Sequence, residues 1–242
     1  ISHVPDTTSK INFTNNNTEF DSNGISYVIN PYDEFGLTRA MVIKETTGAT
    51  VTVINVGPAS TETTLRKALA IGADNAVRIN AEPTDANYVA RLLANYAKDE
   101  NFDLIITGRE SIDFNGGIVP GMLATYLDMP FVNACIALEL NGNQATVIRE
   151  IDGGKETLEG NLPILIAGQK GLVEEKDLRI PAMRGIMMAR KKPLTVIEAG
   201  DAKKQTSVLK FDLPEAKAAC TMIEADNVDK LVQLLHSEAK VI

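Results

Sequence analysis

The sequence predicts an α/β protein: an open, mostly parallel sheet with flanking helices, followed by antiparallel strands and an extended C-terminal arm. Three observations carry that reading. From Ile25 to Tyr126, short apolar runs of strand type alternate with longer segments of helical periodicity, the pattern of crossover units on a parallel sheet. After Pro130 helical periodicity stops, and short strands separated by Asn141-Gly142 and Asp152-Gly153-Gly154 take over, as in antiparallel hairpins. Beyond Lys192 periodicity fades. Residues 1–192 are therefore read as one α/β domain and residues 193–242 as an arm and helix that pack on that domain or on a partner.

Each element follows from its residues. Ile1-Ser2-His3 reads as the end of a strand begun upstream, which leaves a preceding targeting segment an open question. Asn12 to Gly24, dense in Asn, Thr, Asp and Ser, is a surface excursion or hairpin. A short strand, Ile25 to Ile29, leads to Asn30 as helix cap, Pro31 at the first helical position, and Asp33 and Glu34 in the first turn, where acids complement the dipole; Gly48 stops that helix. Thr50 to Val56 is a β-branched strand, and Ser60 caps a helix with Leu65, Ala68 and Leu69 on its apolar face. Ala76 to Ile79 is the next strand, and Val89, Leu92, Leu93 and Tyr96 mark a third helix. Phe131 to Leu140, Gln144 to Ile151, Glu156 to Leu162 and Ile164 to Ala167 read as antiparallel strands. Lys203 to Thr221 is the arm, and Val228, Leu231, Val232 and Leu235 form one stripe on a last helix.

Composition narrows the function classes. The chain of 242 residues, 44% apolar and 23% charged, can bury a full core. Its net charge of −8 argues against nucleic acid or an anionic membrane as the main partner. No apolar stretch approaches the roughly 20 residues needed to span a bilayer. Two cysteines, Cys135 and Cys220, and two histidines, His3 and His236, offer no metal-ligand spacing and no disulfide framework, so a reducing compartment is the simplest inference. No nucleophile, general base or metal site is visible, which points away from an enzyme.

The stretch with most chemistry is Asp103 to Pro130. Leu104 to Thr107 is a strand that Gly108 ends, Arg109 to Gly117 is a polar loop, and Val119, Met122, Leu123 and Tyr126 lie on one helix face. Strand, loop and helix in that order place the loop at the carboxyl ends of the strands, with free helix-start N–H groups facing the crevice. Gly116 and Gly117 would let an anion approach the backbone, so the loop is either a nucleotide cradle or simply a corner of the fold.

Several segments together resemble the β subunit of the electron transfer flavoprotein. The most specific match runs from Val147 to Leu158, VIREIDGGKETL, with Pro163-Ile164-Leu165-Ile166-Ala167 after it. Asn30-Pro31-Tyr32-Asp33-Glu34, Val56-Gly57-Pro58, Gly72-Ala73-Asp74 and Ser111-Ile112-Asp113 are further family motifs at matching intervals. The resemblance implies an adenine-nucleotide-binding fold of flavodoxin or universal-stress type, and a heterodimer in which this subunit holds AMP while the α subunit holds FAD. It implies electron transfer from acyl-CoA and related dehydrogenases, by way of that FAD, to a membrane quinone oxidoreductase. The compartment implied is the cytoplasm of a bacterium or the mitochondrial matrix of a eukaryote.

By the same resemblance the AMP contacts fall on Asn30, Pro31, Tyr32 and Asp33, on Val56, and from Gly108 through Ser111, Ile112, Asp113, Gly116, Gly117 and Ile118 to Val119. An animal-type version carries polar side chains where this chain has Gly117, Ile118 and Val119, which leaves the backbone N–H groups of that turn to meet the phosphate. Asp33 is read as a contact and not as a catalytic group. Arg179 to Lys192 is the segment expected to meet the dehydrogenases, with Met183 as its apolar anchor and Arg179 at its start, whereas Met187 and Met188 are read as core. Arg190, Lys191 and Lys192 read as a solvated basic run, and Tyr32, Tyr88 and Tyr126 as core rather than adenine platforms. Glu150 either forms a solvated pair with Arg149 or steadies the α subunit's flavin domain by pairing with an arginine there.

Two alternatives stand beside this reading. A bifurcating relative would bind a second FAD here, but needs hydroxyls where this chain has Ala86 and Val89. A stand-alone adenine-nucleotide sensor would share the core but lack the Arg149 to Ala167 motif and the long tail.

Overall fold

The computed structural model describes residues 1–217 and 219–242. Strand β1 (His3–Pro5) pairs antiparallel with β4 (Tyr27–Ile29), and between them β2 (Phe13–Thr14) and β3 (Glu19–Phe20) make a small hairpin. Helix α1 (Pro31–Thr47) follows, with Pro31 in its first turn. The parallel strands then form two hydrogen-bonded groups. One, in the order β12-β6-β5, joins β5 (Thr52–Val56), β6 (Asn75–Asn80) and β12 (Leu194–Glu198). The other, β10-β9-β8-β11-β7, joins β7 (Leu104–Gly108), β8 (Phe131–Asn141), β9 (Gln144–Ile151), β10 (Gly154–Asn161) and β11 (Ile164–Gly168). This is the mixed α/β architecture that the alternating pattern predicts.

One strand departs from expectation. β11 is parallel to both β7 and β8, not antiparallel to its sequence neighbours. Every residue of its Ile-Leu-Ile-Ala-Gly run is buried. A strand covered on both faces reads as a continuous apolar run, whereas β9 and β10 alternate. The central position of β11 therefore has a signature in its composition that the turn signals around it concealed.

Helices α2 (Glu62–Ile71), α3 (Ala86–Glu100) and α4 (Val119–Leu127) complete the layers. Leu37 and Met41 of α1 and Leu65, Ala68 and Leu69 of α2 pack on one face over Val53 and Ala76. Ala90 and Ala94 of α3 pack with Leu123 and Ala124 of α4 on the other, over Leu165, while Ile164 and Ile166 point to the α1 side. Helix α2 begins after a 3-10 turn, Ala59–Thr61, so Ser60 is not its cap. Asp85 caps α3, accepting from Tyr88 N–H at 2.6 Å.

The C-terminal segment is held to the domain at two places. Asp85 Oδ2 accepts from Gln205 N–H at 3.1 Å, Thr206 N–H at 2.6 Å and Thr206 Oγ1 at 2.7 Å. Further on, Phe211 N–H donates to Asn17 O at 2.7 Å and the Phe211 ring stacks on Phe13, 4.7 Å between centroids. Between these ties Leu209 is exposed, and past them Leu213 and Met222 are exposed, as are Val228, Leu231 and Val232 on α6 (Val228–Leu234). That stripe does not lie on the main domain.

Burial opposes ionisation of Asp85, but the hydrogen bonds from Thr206, Tyr88 and Gln205 outweigh it and bring its carboxyl down to about 2. A carboxyl more acidic folded than unfolded adds stability in full above the ordinary value of 3.8 and loses it as pH falls toward 2. Asp85→Ala, which also removes a cap worth about 1 kcal/mol, is expected to release residues 203–211. Pepsin at pH 4 then cuts near Leu209 and Phe211 rapidly in the variant and slowly in the wild type, and the two converge by pH 2.

Candidate functional site

The carboxyl end of β7 is built around two buried polar side chains, Asn30 and Asp33, at 0% and 6% exposure. Asp33 Oδ1 accepts from Gly108 N–H at 2.7 Å, and its Oδ2 accepts from Ser2 N–H at 2.9 Å and Asn30 Nδ2 at 3.0 Å. Asn30 Nδ2 also donates to Glu110 O at 2.8 Å, and its Oδ1 accepts from Ile112 N–H at 3.1 Å. The side chain of Asn30 therefore ties down the loop instead of capping α1; its carbonyl serves the helix start, accepting from Asp33 and Glu34 N–H. Likewise Asp33 is more than a dipole partner: it joins β1, α1 and β7 at one point. A Cβ on Gly108 would lie 2.9 Å from Asp33 Oδ1 and from Tyr32 Cβ, so only glycine fits there.

The loop so anchored turns through Ser111 and Asp113, with Asn115 N–H on Ser111 O at 2.8 Å and Phe114 N–H on Asp113 Oδ1 at 2.9 Å. Gly117, at φ +62°, brings the chain into α4 through a conformation that glycine adopts without cost. Among the described residues, the N–H groups of Gly116, Gly117, Ile118 and Val119 find no acceptor. Successive unpaired N–H groups at a helix start are the type of backbone that can receive an anion. Val56 ends β5 and is buried. The first residues of the chain link it to the loop: Asn55 Nδ2 donates to Ile1 O at 2.9 Å, one residue before Ser2 reaches Asp33.

Beside the loop lies a cavity of about 840 Å³, walled by Phe114, by Glu82 and Thr84 ahead of α3, by Phe20 of the hairpin, and by Lys204 and Thr206 of the arm. Tyr32 is partly exposed under Arg109, whose guanidinium stands 5.5 Å over the ring, while Tyr88 is buried as expected. The hydrogen bond to Glu110 raises the Arg109 pKa further. Arg109 Nη1 donates to Gln169 Oε1 at 3.0 Å, and Gln169 Nε2 donates in turn to Glu150. Glu150 is thus coupled to the loop and does not pair with Arg149, which faces Glu156 across the β9-β10 register. Glu110, Gln169 and Ser2 act here without having been expected. For Gln169 a signal existed, a polar residue immediately after a fully apolar parallel strand.

Helix α5 (Met183–Ala189) lies at the other end of the sheet, against α2. Met183 is 76% exposed, as an anchor would be, but Met187 and Met188 are also exposed, at 66% and 53%, and are not core. The reason is that α5 docks through its small residues, Gly185 and the buried Ala189, which turns the methionines outward. Lys192 is not part of a solvated run either; its Nζ donates to Leu69 O and Ala73 O at 2.9 and 2.6 Å. Arg179 donates from its N–H to Thr38 Oγ1 and pairs with Glu45 at 2.8 Å. Among the described residues no helix is long and apolar enough to cross a membrane, and no cluster of His, Cys, Asp and Glu could hold a metal.

Comparison with known proteins gives consistent matches. Residues 18–202 match the model of the electron transfer flavoprotein domain. The chain is 38% identical over 238 residues to the electron transfer flavoprotein subunit beta of Bacillus subtilis, covering 93% of this chain and 91% of that one. It is 37% identical over 224 residues to the subunit of the same name from Syntrophomonas wolfei, covering 90% and 87%. Against that of Bos taurus it is 32% identical over 246 residues, covering 97% and 95%.

Asp33→Ala leaves the N–H groups of Gly108 and Ser2 without their acceptor. The expected loss is about 3 kcal/mol of unfolding free energy, read as a lower urea midpoint with an unchanged slope.

Proposed function

The chain belongs to the electron transfer flavoprotein family as a β subunit, and on that premise we propose that it binds one structural AMP and, joined to an α subunit carrying FAD, helps move electrons from acyl-CoA and related dehydrogenases to a membrane quinone oxidoreductase. The single observation that carries the AMP site is the run of unpaired N–H groups from Gly116 to Val119, held in place by Asn30 and Asp33. The phosphate rests on that run. Ser111, Ile112 and Asp113 form the loop wall, and Pro31, Tyr32 and Val56 border the adenosine.

AMP has no redox chemistry, so its contribution is to stabilise the fold by ligand linkage. Electron transfer belongs to the FAD of the α subunit, and this chain is a carrier subunit without a catalytic site. Its part in delivery is the α5 surface. Met183 is the anchor, with the adaptable Met187 and Met188 beside it, and the same segment exposes Arg184, Arg190 and Lys191 in a chain of net charge −8. Glu150, steadied by Gln169 and Arg109, faces the α subunit, and residues 193–242 cover part of that subunit with the exposed stripe of Val228, Leu231 and Val232. The compartment is the cytoplasm in a bacterium or the mitochondrial matrix in a eukaryote.

A second reading, a bifurcating β subunit with its own FAD, draws on the 840 Å³ cavity that Phe114 shares with the loop. The start of α3 weighs against it. Ala86 and Val89 offer no hydroxyl, and the Asp85 carboxylate, already bonded to the arm, would face an added phosphate. Co-purification with the α subunit, denaturation and chromatography of the released nucleotides decides between them. One AMP and one FAD per heterodimer is the expected result; two FAD and no AMP would replace this reading with the second.

A further inference from the structure

The surface that carries Met183 belongs to a helix of only seven residues, Met183–Ala189, too short to hold its own shape in water. What fixes it lies on its hidden side. A Cβ built on Gly185 would stand 2.3 Å from Ala70 O and 3.3 Å from the Ala70 carbonyl carbon, both backbone atoms of α2 that cannot turn aside. The two helices then cap each other. Arg66 of α2 donates through Nη1 to Ala189 O at 2.7 Å and Lys192 O at 2.8 Å, satisfying carbonyls at the end of α5. Lys192, just past α5, returns the contact to Leu69 O and Ala73 O at the end of α2. Each helix C-terminus thus receives a cation from the other, where the dipole favours one.

We propose that Gly185 and Arg66 are positioning residues for partner docking: they hold α5 as a rigid platform so that Met183, Met187 and Met188 meet the electron donor already arranged. Neither touches the donor. The proposal rests on the docking surface assigned above, and its advantage is entropic, since a platform ordered in advance loses less freedom on binding than a loose segment. Moving α5 off α2 by the width of one methyl group shifts the anchor while leaving the nucleotide crevice, at the opposite end of the sheet, as it was.

The test uses the complete heterodimer reduced by an acyl-CoA dehydrogenase and its substrate, followed by bleaching of the flavin, for Gly185→Ala, Arg66→Gln, Arg66→Lys and Met183→Ala. Gly185→Ala and Arg66→Gln are expected to raise the half-saturating heterodimer concentration about tenfold, a docking loss of roughly 1.4 kcal/mol. The rate at saturation and the FAD and AMP content stay unchanged, and Arg66→Lys recovers most of the loss. If Met183→Ala raises half-saturation while Gly185→Ala and Arg66→Gln do not, the surface docks but these residues do not position it, and the proposal fails. If Met183→Ala has no effect, the docking surface itself is wrong and the proposal falls with it. Should Gly185→Ala fail to fold, the contrast between Arg66→Gln and Arg66→Lys decides the matter alone.

Discussion

A buried carboxylate needs its full set of donors, and the rest of this site depends on how Asp33 obtains them. Two come from backbone N–H groups, of Ser2 just before β1 and of Gly108 at the end of β7, and one from Asn30. Hydrogen bonds to a charged group contribute roughly 1.5–3 kcal/mol each, and an unpaired buried charge costs far more. Three segments distant in sequence must therefore meet at one point. Once they do, Gly108 has no room for a side chain, Asn30 is turned toward the loop, and Glu110 and Ile112 are fastened to it. The loop is fastened at Glu110 and Ile112, and among the described residues its N–H groups from Gly116 to Val119 find no acceptor as α4 begins.

The same parallel topology separates two regions. The carboxyl end of β7 carries the loop that Asn30 and Asp33 anchor, where the proposed nucleotide would bind. The opposite end, where Pro193 O accepts from Ala76 N–H at the start of β6, carries α5 and its methionines. On the proposed reading, a nucleotide bound at the first region would stabilise the subunit without constraining the methionine surface at the second. The arm crosses from one region to the other, pinned by Asp85 and stacked at Phe211 before it leaves the domain.

Much of this was legible in the sequence because it is local. Alternating strand and helix periods, Gly108 ending an apolar run, and the paired glycines before Val119 announce the crevice from neighbouring residues alone. What escaped is long-range. Asn30 and Ile112 are 82 residues apart, and nothing in Asn30-Pro31 tells that its amide turns away from the helix it precedes. Met187 and Met188 look like core by composition, and only the contact of Gly185 with Ala70 O shows which side of α5 is hidden. Ile164 to Ala167 misleads for the opposite reason: its apolar run is that of a central parallel strand, but the adjacent hairpins suggest another antiparallel one.

On the proposed reading, backbone N–H groups of the Gly116 to Val119 turn, and not side chains, hold the phosphate of a bound adenylate. Calorimetric titration of nucleotide-free heterodimer with AMP and with adenosine, which differ only in that phosphate, tests this most directly. Loss of two or more charge-assisted hydrogen bonds predicts that adenosine binds at least about 100-fold more weakly. Equal affinities would mean that the turn does not bind phosphate, and the site would have to be placed elsewhere.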